Sequence, residues 1–168
     1  MFTVFAFIGG APEVYIQQFQ ISPSHFGLLF AISAAGFISA SQLNPWLLRR
    51  FGPRRVPSYA LRACACAVSV LVVNVFAGMG GFLGIYISAA LALACMGLVF
   101  PNAAVGALSR HAARAGSASA LLGTLQFSLA ASGSALVGML ADGTSRPMAL
   151  LMLFGLIGAN AAELAGRR

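Results

Sequence analysis

Lysine is absent from this 168-residue chain, and acidic residues number only three: Glu13, Asp142 and Glu163. Charged residues make up 8% of the chain and apolar residues 60%, with a mean hydropathy of +0.90. A soluble domain carries about 25% charged residues, so this chain has too little polar surface to coat a water-soluble globule. That scarcity excludes an ordinary soluble enzyme and a disordered chain. Cysteine is scarce as well. Cys64, Cys66 and Cys95 all lie inside apolar runs, and His25 and His111 stand apart from them. Neither a disulfide framework nor metal-ligand spacing is present, so the cysteines read as small buried hydrophobes and no metal or other cofactor is expected. The class that remains is an integral membrane protein.

The bases that are present are ten arginines, and the formal charge is +7. They fall in short clusters between long apolar stretches. That placement fits topology signals and contact with anionic lipid head groups, and it argues against nucleic acid as a partner.

A helix needs about 20 mostly apolar residues to cross the hydrocarbon. The uncharged runs 14–48 and 63–109 are too long for one span each. The first breaks at Gln17-Gln18-Phe19-Gln20-Ile21-Ser22-Pro23-Ser24, where Ser22 or Ser24 is placed to cap the next helix. The second breaks at Gly78-Met79-Gly80-Gly81. Six spans are expected, at roughly 1–18, 24–47, 56–77, 82–104, 115–140 and 147–164. Period-two alternation is not visible, so the spans are read as helices and not barrel strands. Arg49, Arg50, Arg54, Arg55, Arg62, Arg110, Arg114, Arg167 and Arg168 gather on one side, with only Arg146 opposite. The positive-inside rule then puts both termini in the cytoplasm. Met1 leads straight into Phe2-Thr3-Val4-Phe5 with no basic leader, so a signal peptide is not expected and the chain reads as starting partway into something larger.

Helices in lipid associate through small residues and polar contacts. Gly116, Ala120, Thr124, Ser128 and Ser132 recur every four residues on span five, beside a second stripe of Ala130, Ser134 and Gly138. Two such faces predict a central helix. Span two carries Gly36 and Ala40 at the same spacing, and span six, rich in Leu, Met, Phe and Ala, is expected to face lipid.

Arg49-Arg50-Phe51-Gly52-Pro53-Arg54-Arg55, between two spans, resembles the Gly/Arg-rich inter-helix loop of the major facilitator superfamily. Ser22-Pro23, Phe26-Gly27-Leu28-Leu29-Phe30, Ser41-Gln42-Leu43-Asn44 and Phe100-Pro101-Asn102 resemble the Bcr/CflA branch of drug/proton antiporters. So does the stretch from Arg114-Ala115-Gly116-Ser117 through Leu125-Gln126-Phe127, the most specific of these matches. The resemblance covers nearly the whole chain. It implies an all-α membrane fold: a single six-helix domain, the second half of a twelve-helix transporter, lacking its first half. Spans one and four would then line a cavity, spans two and five would flank the interface between halves, and spans three and six would be peripheral. Arg49, Arg50, Gly52, Arg54, Arg55 and Arg114 would form a cytoplasmic gate. Arg49 stands where the loop motif often has an acid, and anchoring by positive charge accounts for these arginines equally well.

Candidate functional residues follow. Glu13 lies in an apolar span, where a charge is costly; such a group suits proton uptake and release, or else marks the outer water interface. Pro12 and Pro101 remove helix hydrogen bonds and kink their spans, and Asn102 is placed to satisfy the carbonyl that Pro101 frees. Tyr15, Tyr86, Asn102, Thr124, Gln126 and Ser128 offer scattered polar handles on apolar walls, a pattern for small apolar or amphipathic drug-like solutes. His25 and His111 read as interfacial, and Asp142 with Arg146 as a solvated pair. No catalytic constellation is present, so an enzyme is not expected. The expected function is that of half of a proton-coupled multidrug efflux antiporter in the bacterial inner membrane, working with a missing N-terminal half or a second copy. The alternative is a non-transporting remnant or membrane assembly partner.

Overall fold

The computed structural model describes residues 1–53, 55–109 and 115–166. Six helical stretches follow one another. The first is α1, Phe2–Pro12, which runs directly into a π-helical segment, Glu13–Gln18. Then come α2 (Pro23–Phe51), α3 (Arg55–Ala77), α4 (Gly81–Leu108), α5 (Ala115–Met139) and α6 (Arg146–Gly166).

The glycine break is where the sequence puts it. Gly78, Gly80 and Gly81 take φ of 64°, 81° and 52°, a region closed to most side chains, and they reverse the chain between α3 and α4. The first break differs in detail. Ser22 occupies the N-cap of α2 but makes no capping bond. Its hydroxyl pairs with Ser24 Oγ (3.1 Å) and His25 Nδ1 (2.6 Å).

Five of the helices, α2 to α6, are long and apolar enough to cross a membrane. The first is the exception to the expected six. Its 17 residues, with the π segment included, reach about 25 Å at 1.5 Å per residue, short of the roughly 30 Å hydrocarbon core.

Packing is organised as two three-helix groups. α1 lies on α5 and α6, α4 lies on α2 and α3, and α3 joins the groups by packing on α6. Exchanging the first three helices with the last three maps these contacts onto themselves, and the exchanged helices run in opposite directions, which is an inverted internal repeat. The α1–α5 seam is close. A Cβ on Gly133 would lie 2.7 Å from Phe2 O, and one on Gly9 would lie 2.7 Å from Ser134 Oγ. The α2–α4 seam is closer still, with Gly97 against the Phe37 carbonyl and the Ala40 side chain. The core runs along α1, α3, α4 and α6 and is filled by Phe7, Val14, Tyr15, Val68, Leu71, Met148 and Met152.

Several packing expectations are corrected. The stripe Gly116, Ala120, Thr124, Ser128 and Ser132 is exposed along its whole length. The buried face of α5 is instead Ala130, Gly133 and Val137, so α5 is not central. α6 is half covered: Met148, Ala149, Met152 and Leu156 are buried, while Leu150, Phe154 and Ile157 face outward. Of the cysteines only Cys64 is fully buried; Cys66 is exposed. α2 exposes Leu28, Ile32, Ile38 and Leu43, an apolar surface suited to lipid or to another membrane-embedded unit.

Candidate functional site

The candidate site begins with two prolines. Pro45 in α2 and Pro101 in α4 each lack the N–H that would bond the carbonyl one turn back. α2 and α4 pack side by side, and the residues next to the prolines, Asn44 and Asn102, meet across the seam. Asn102 Nδ2 donates to Asn44 Oδ1 (2.8 Å) and to Leu98 O (2.7 Å). The carbonyl freed by Pro101 belongs to Gly97, so Asn102 does not do what its position suggested; it ties α4 to α2. Asn44 is buried, and with a buried amide its bond to Asn102 is worth more than it would be in water.

Beside this pair lies an open groove of about 440 Å³, lined by Met1, Val4 and Phe5 of the first helix region, Phe37 and Ser41 of α2, Phe100, Pro101 and Ala104 of α4, and Gln126 of α5. Its volume falls within the roughly 300–1,000 Å³ of small-molecule sites. Its walls are apolar except for Ser41 and Gln126. Thr3 Oγ1 sits 3.5 Å from Met152 O, and a Cβ on Gly155 would lie 2.5 Å from Thr3 Oγ1. Both contacts are near the middle of α6, so α1 accompanies only the half of the bundle nearer the α5–α6 loop.

Of the residues expected to shape a cavity, the groove gathers Gln126 and Pro101, with Asn102 next in sequence. The others lie elsewhere. Glu13 opens the π segment and accepts a bond from the Gly143 N–H (2.7 Å), which pins the first helix to the α5–α6 loop at the opposite end. Pro12 immediately precedes that π segment and is exposed. Tyr15 is fully buried in a cluster of rings from Phe7, Phe26, Phe82 and Tyr86, and its hydroxyl has no hydrogen-bond partner among the described residues. Tyr86 Oη donates to Leu29 O (3.1 Å). Thr124 is exposed and returns its hydroxyl to Ala120 O (2.9 Å), and Ser128 is exposed on the same stripe. Among the gate residues, Arg49, Arg50 and Arg55 are exposed at the ends of α2 and α3, and Gly52 takes φ 88° where α2 ends. Arg54 and Arg114 lie outside the described residues, as do Arg110, His111, Arg167 and Arg168.

At the far loop Asp142 bonds Thr144 rather than Arg146. Its Oδ1 accepts from Thr144 Oγ1 (2.6 Å) and Thr144 N (2.9 Å), and these bonds hold the carboxyl below its ordinary range. Arg146 lies over the Phe76 ring at 5.8 Å. The sequence reading missed Asn44, Phe37, Ser41 and Phe100. The available signal was the reversed pair Asn44-Pro45 and Pro101-Asn102, at matching depth in two helices. No group of three or more His, Cys, Asp or Glu side chains placed to hold a metal occurs among the described residues.

No family model matches the chain, and no solved structure matches it. Two curated relatives do. One is the uncharacterized MFS-type transporter YdgK of Bacillus subtilis, 32% identical over 152 residues that make up 88% of this chain and 36% of the relative. The other is a bicyclomycin resistance protein homolog of Haemophilus influenzae, 27% identical over 149 residues, 89% of this chain and 37% of the relative. The chain therefore spans little more than a third of the length of the curated relatives it matches. Five membrane-length apolar helices and these relatives together make the chain a multi-pass membrane protein similar to part of an MFS-type transporter.

Proposed function

We propose that this chain is the C-terminal six-helix part of a proton-coupled multidrug efflux antiporter of the major facilitator superfamily, Bcr/CflA type, in the bacterial inner membrane with its C-terminus cytoplasmic. It moves small apolar or amphipathic drug-like solutes only when a second six-helix unit closes the face that carries the groove. The supporting observation is the groove itself: an apolar, open concavity between α2, α4 and α5 with few polar handles, on a chain that matches only part of its transporter relatives. Apolar walls with Ser41 and Gln126 as the polar contacts suit drug-like solutes and suit sugars or nucleotides poorly. A concavity with no opposite wall holds nothing against lipid, so the unit that completes it is part of the function. That unit is an N-terminal half or a second copy of the chain.

The test is dye retention in cells that make the chain alone, the chain together with the reading frame immediately upstream of it, or neither. Lower retention with both chains, abolished by a protonophore, supports a proton-driven transporter half. Lower retention with the chain alone supports a self-paired transporter. Equal retention in all three, with the chain present in the membrane, supports the non-transporting remnant or assembly partner and overturns the proposal.

A further inference from the structure

The end of the bundle where α2 finishes and α3 begins carries Arg49, Arg50, Arg55 and Arg62, all exposed. Three large rings are exposed with them: Trp46 (55%), Phe51 (48%) and Tyr59 (59%). The two sets are interleaved. The Arg50 guanidinium lies 5.5 Å from the Trp46 ring and 5.7 Å from the Phe51 ring, and that of Arg62 lies 5.8 Å from the Tyr59 ring. Arg62 is the more telling of the two. It stands seven residues into α3, about 10 Å from Arg55 along the axis, yet it folds back over Tyr59 toward the end of the bundle. That is how an arginine behaves when its stem is in hydrocarbon and its charge must reach the head groups. Trp46 lies one turn nearer the middle of the bundle than Arg50, where an indole sits at a membrane interface. Glu163, on α6 at this end, accepts a hydrogen bond from Ser58.

Four exposed positive charges, backed by rings that belong at the acyl boundary, fit a ligand that is anionic at one end and apolar at the other. We propose that this corner is a binding surface for anionic phospholipid, with the arginines taking the headgroup phosphate and Trp46 and Tyr59 lying against the glycerol and upper acyl chain. The surface is independent of the groove and does not rest on the transport reading.

Trp46 is the single tryptophan of the chain and so reports on its own lipid contacts. The experiment reconstitutes the full chain in phosphatidylcholine vesicles containing about a tenth phosphatidylglycerol, with the bromine quencher placed on one lipid or the other in turn. Brominated phosphatidylglycerol is expected to quench Trp46 about fivefold beyond its mole fraction, the factor that one arginine near an anionic surface supplies. Brominated phosphatidylcholine is expected to quench less than its share. The excess should fall toward the mole fraction in Arg50→Gln and vanish in the fourfold Arg→Gln variant at 49, 50, 55 and 62. The wild-type comparison stands even if the fourfold variant fails to insert. Quenching in proportion to mole fraction for both lipids overturns the proposal. So does loss of the excess on adding millimolar inorganic phosphate at constant ionic strength, which would assign the corner to a free anion.

Discussion

Gly97 tests the α2–α4 seam directly. A Cβ built there would overlap Phe37 O and lie 3.1 Å from Phe37 C, against ordinary contacts of 3.4 Å and more. The Phe37 carbonyl is part of a helix backbone, so it cannot swing away as a side-chain tip could. Gly97→Ala therefore forces α2 to retreat by roughly 1 Å along its inner half, where it also bears the Asn44–Asn102 bond. Overpacking of this kind costs about 1–3 kcal/mol. At roughly 2–4 °C per kcal/mol for a chain of this size, the midpoint of thermal unfolding in detergent should fall by several degrees. Gly106 provides the control. It lies in the same helix with nothing within 4 Å of its Cβ position, so Gly106→Ala should be neutral or gain up to about 1 kcal/mol of helix propensity. Both proteins are followed by Cys64 labelling with a thiol dye during heating, since Cys64 is buried in the folded chain and reacts only on unfolding; Cys66 and Cys95 are replaced by Ala in each protein compared. Equal midpoints for the two alanine variants would refute the close approach of α2 and α4.

Three further outcomes follow from the geometry. In a double-mutant cycle, Asn44→Leu and Asn102→Leu should show a coupling of about 0.6 kcal/mol, and no more than about 1.7, in detergent unfolding; additivity would mean that the two amides do not bond. The Asp142 carboxyl is held low first by the Thr144 hydroxyl and then by its N–H. The tie is in place above the ordinary carboxylate pKa and is lost as pH falls through the lowered one. Thr144→Val should raise the Asp142 carbon-13 titration midpoint toward the ordinary range, and an unmoved midpoint would contradict the bond. Glu13→Ala should speed amide exchange at Gly143, whereas Glu13→Gln, which keeps an oxygen acceptor, should leave it protected; equal exchange in both would show that Glu13 does not pin the loop.

The break at Gly78–Gly81 and the length of the apolar runs were legible because backbone freedom and hydrocarbon thickness act locally. Lateral packing was not. Small residues permit close approach but do not say which of two small stripes a neighbour uses, and on α5 the used face is Ala130, Gly133 and Val137. The role of Glu13 was hidden for a similar reason: its partner, the Gly143 N–H, lies 130 residues away in a loop whose position depends on how α5 and α6 pack. Asn102 was recognised as a residue beside a proline, but the asparagines that flank Pro45 and Pro101 become neighbours only once α2 and α4 lie together.

The central claim, a polytopic chain with its arginines gathered at one membrane face, is tested most directly by two single-cysteine variants in a background lacking Cys64, Cys66 and Cys95. One places the cysteine at Pro53, in the α2–α3 turn, and the other at Gly143, in the α5–α6 loop. In intact bacterial spheroplasts an impermeant maleimide should label position 143 and leave position 53 unlabelled until the membrane is opened. Labelling of both positions from outside, or recovery of the chain in the alkaline-soluble fraction, would contradict the account.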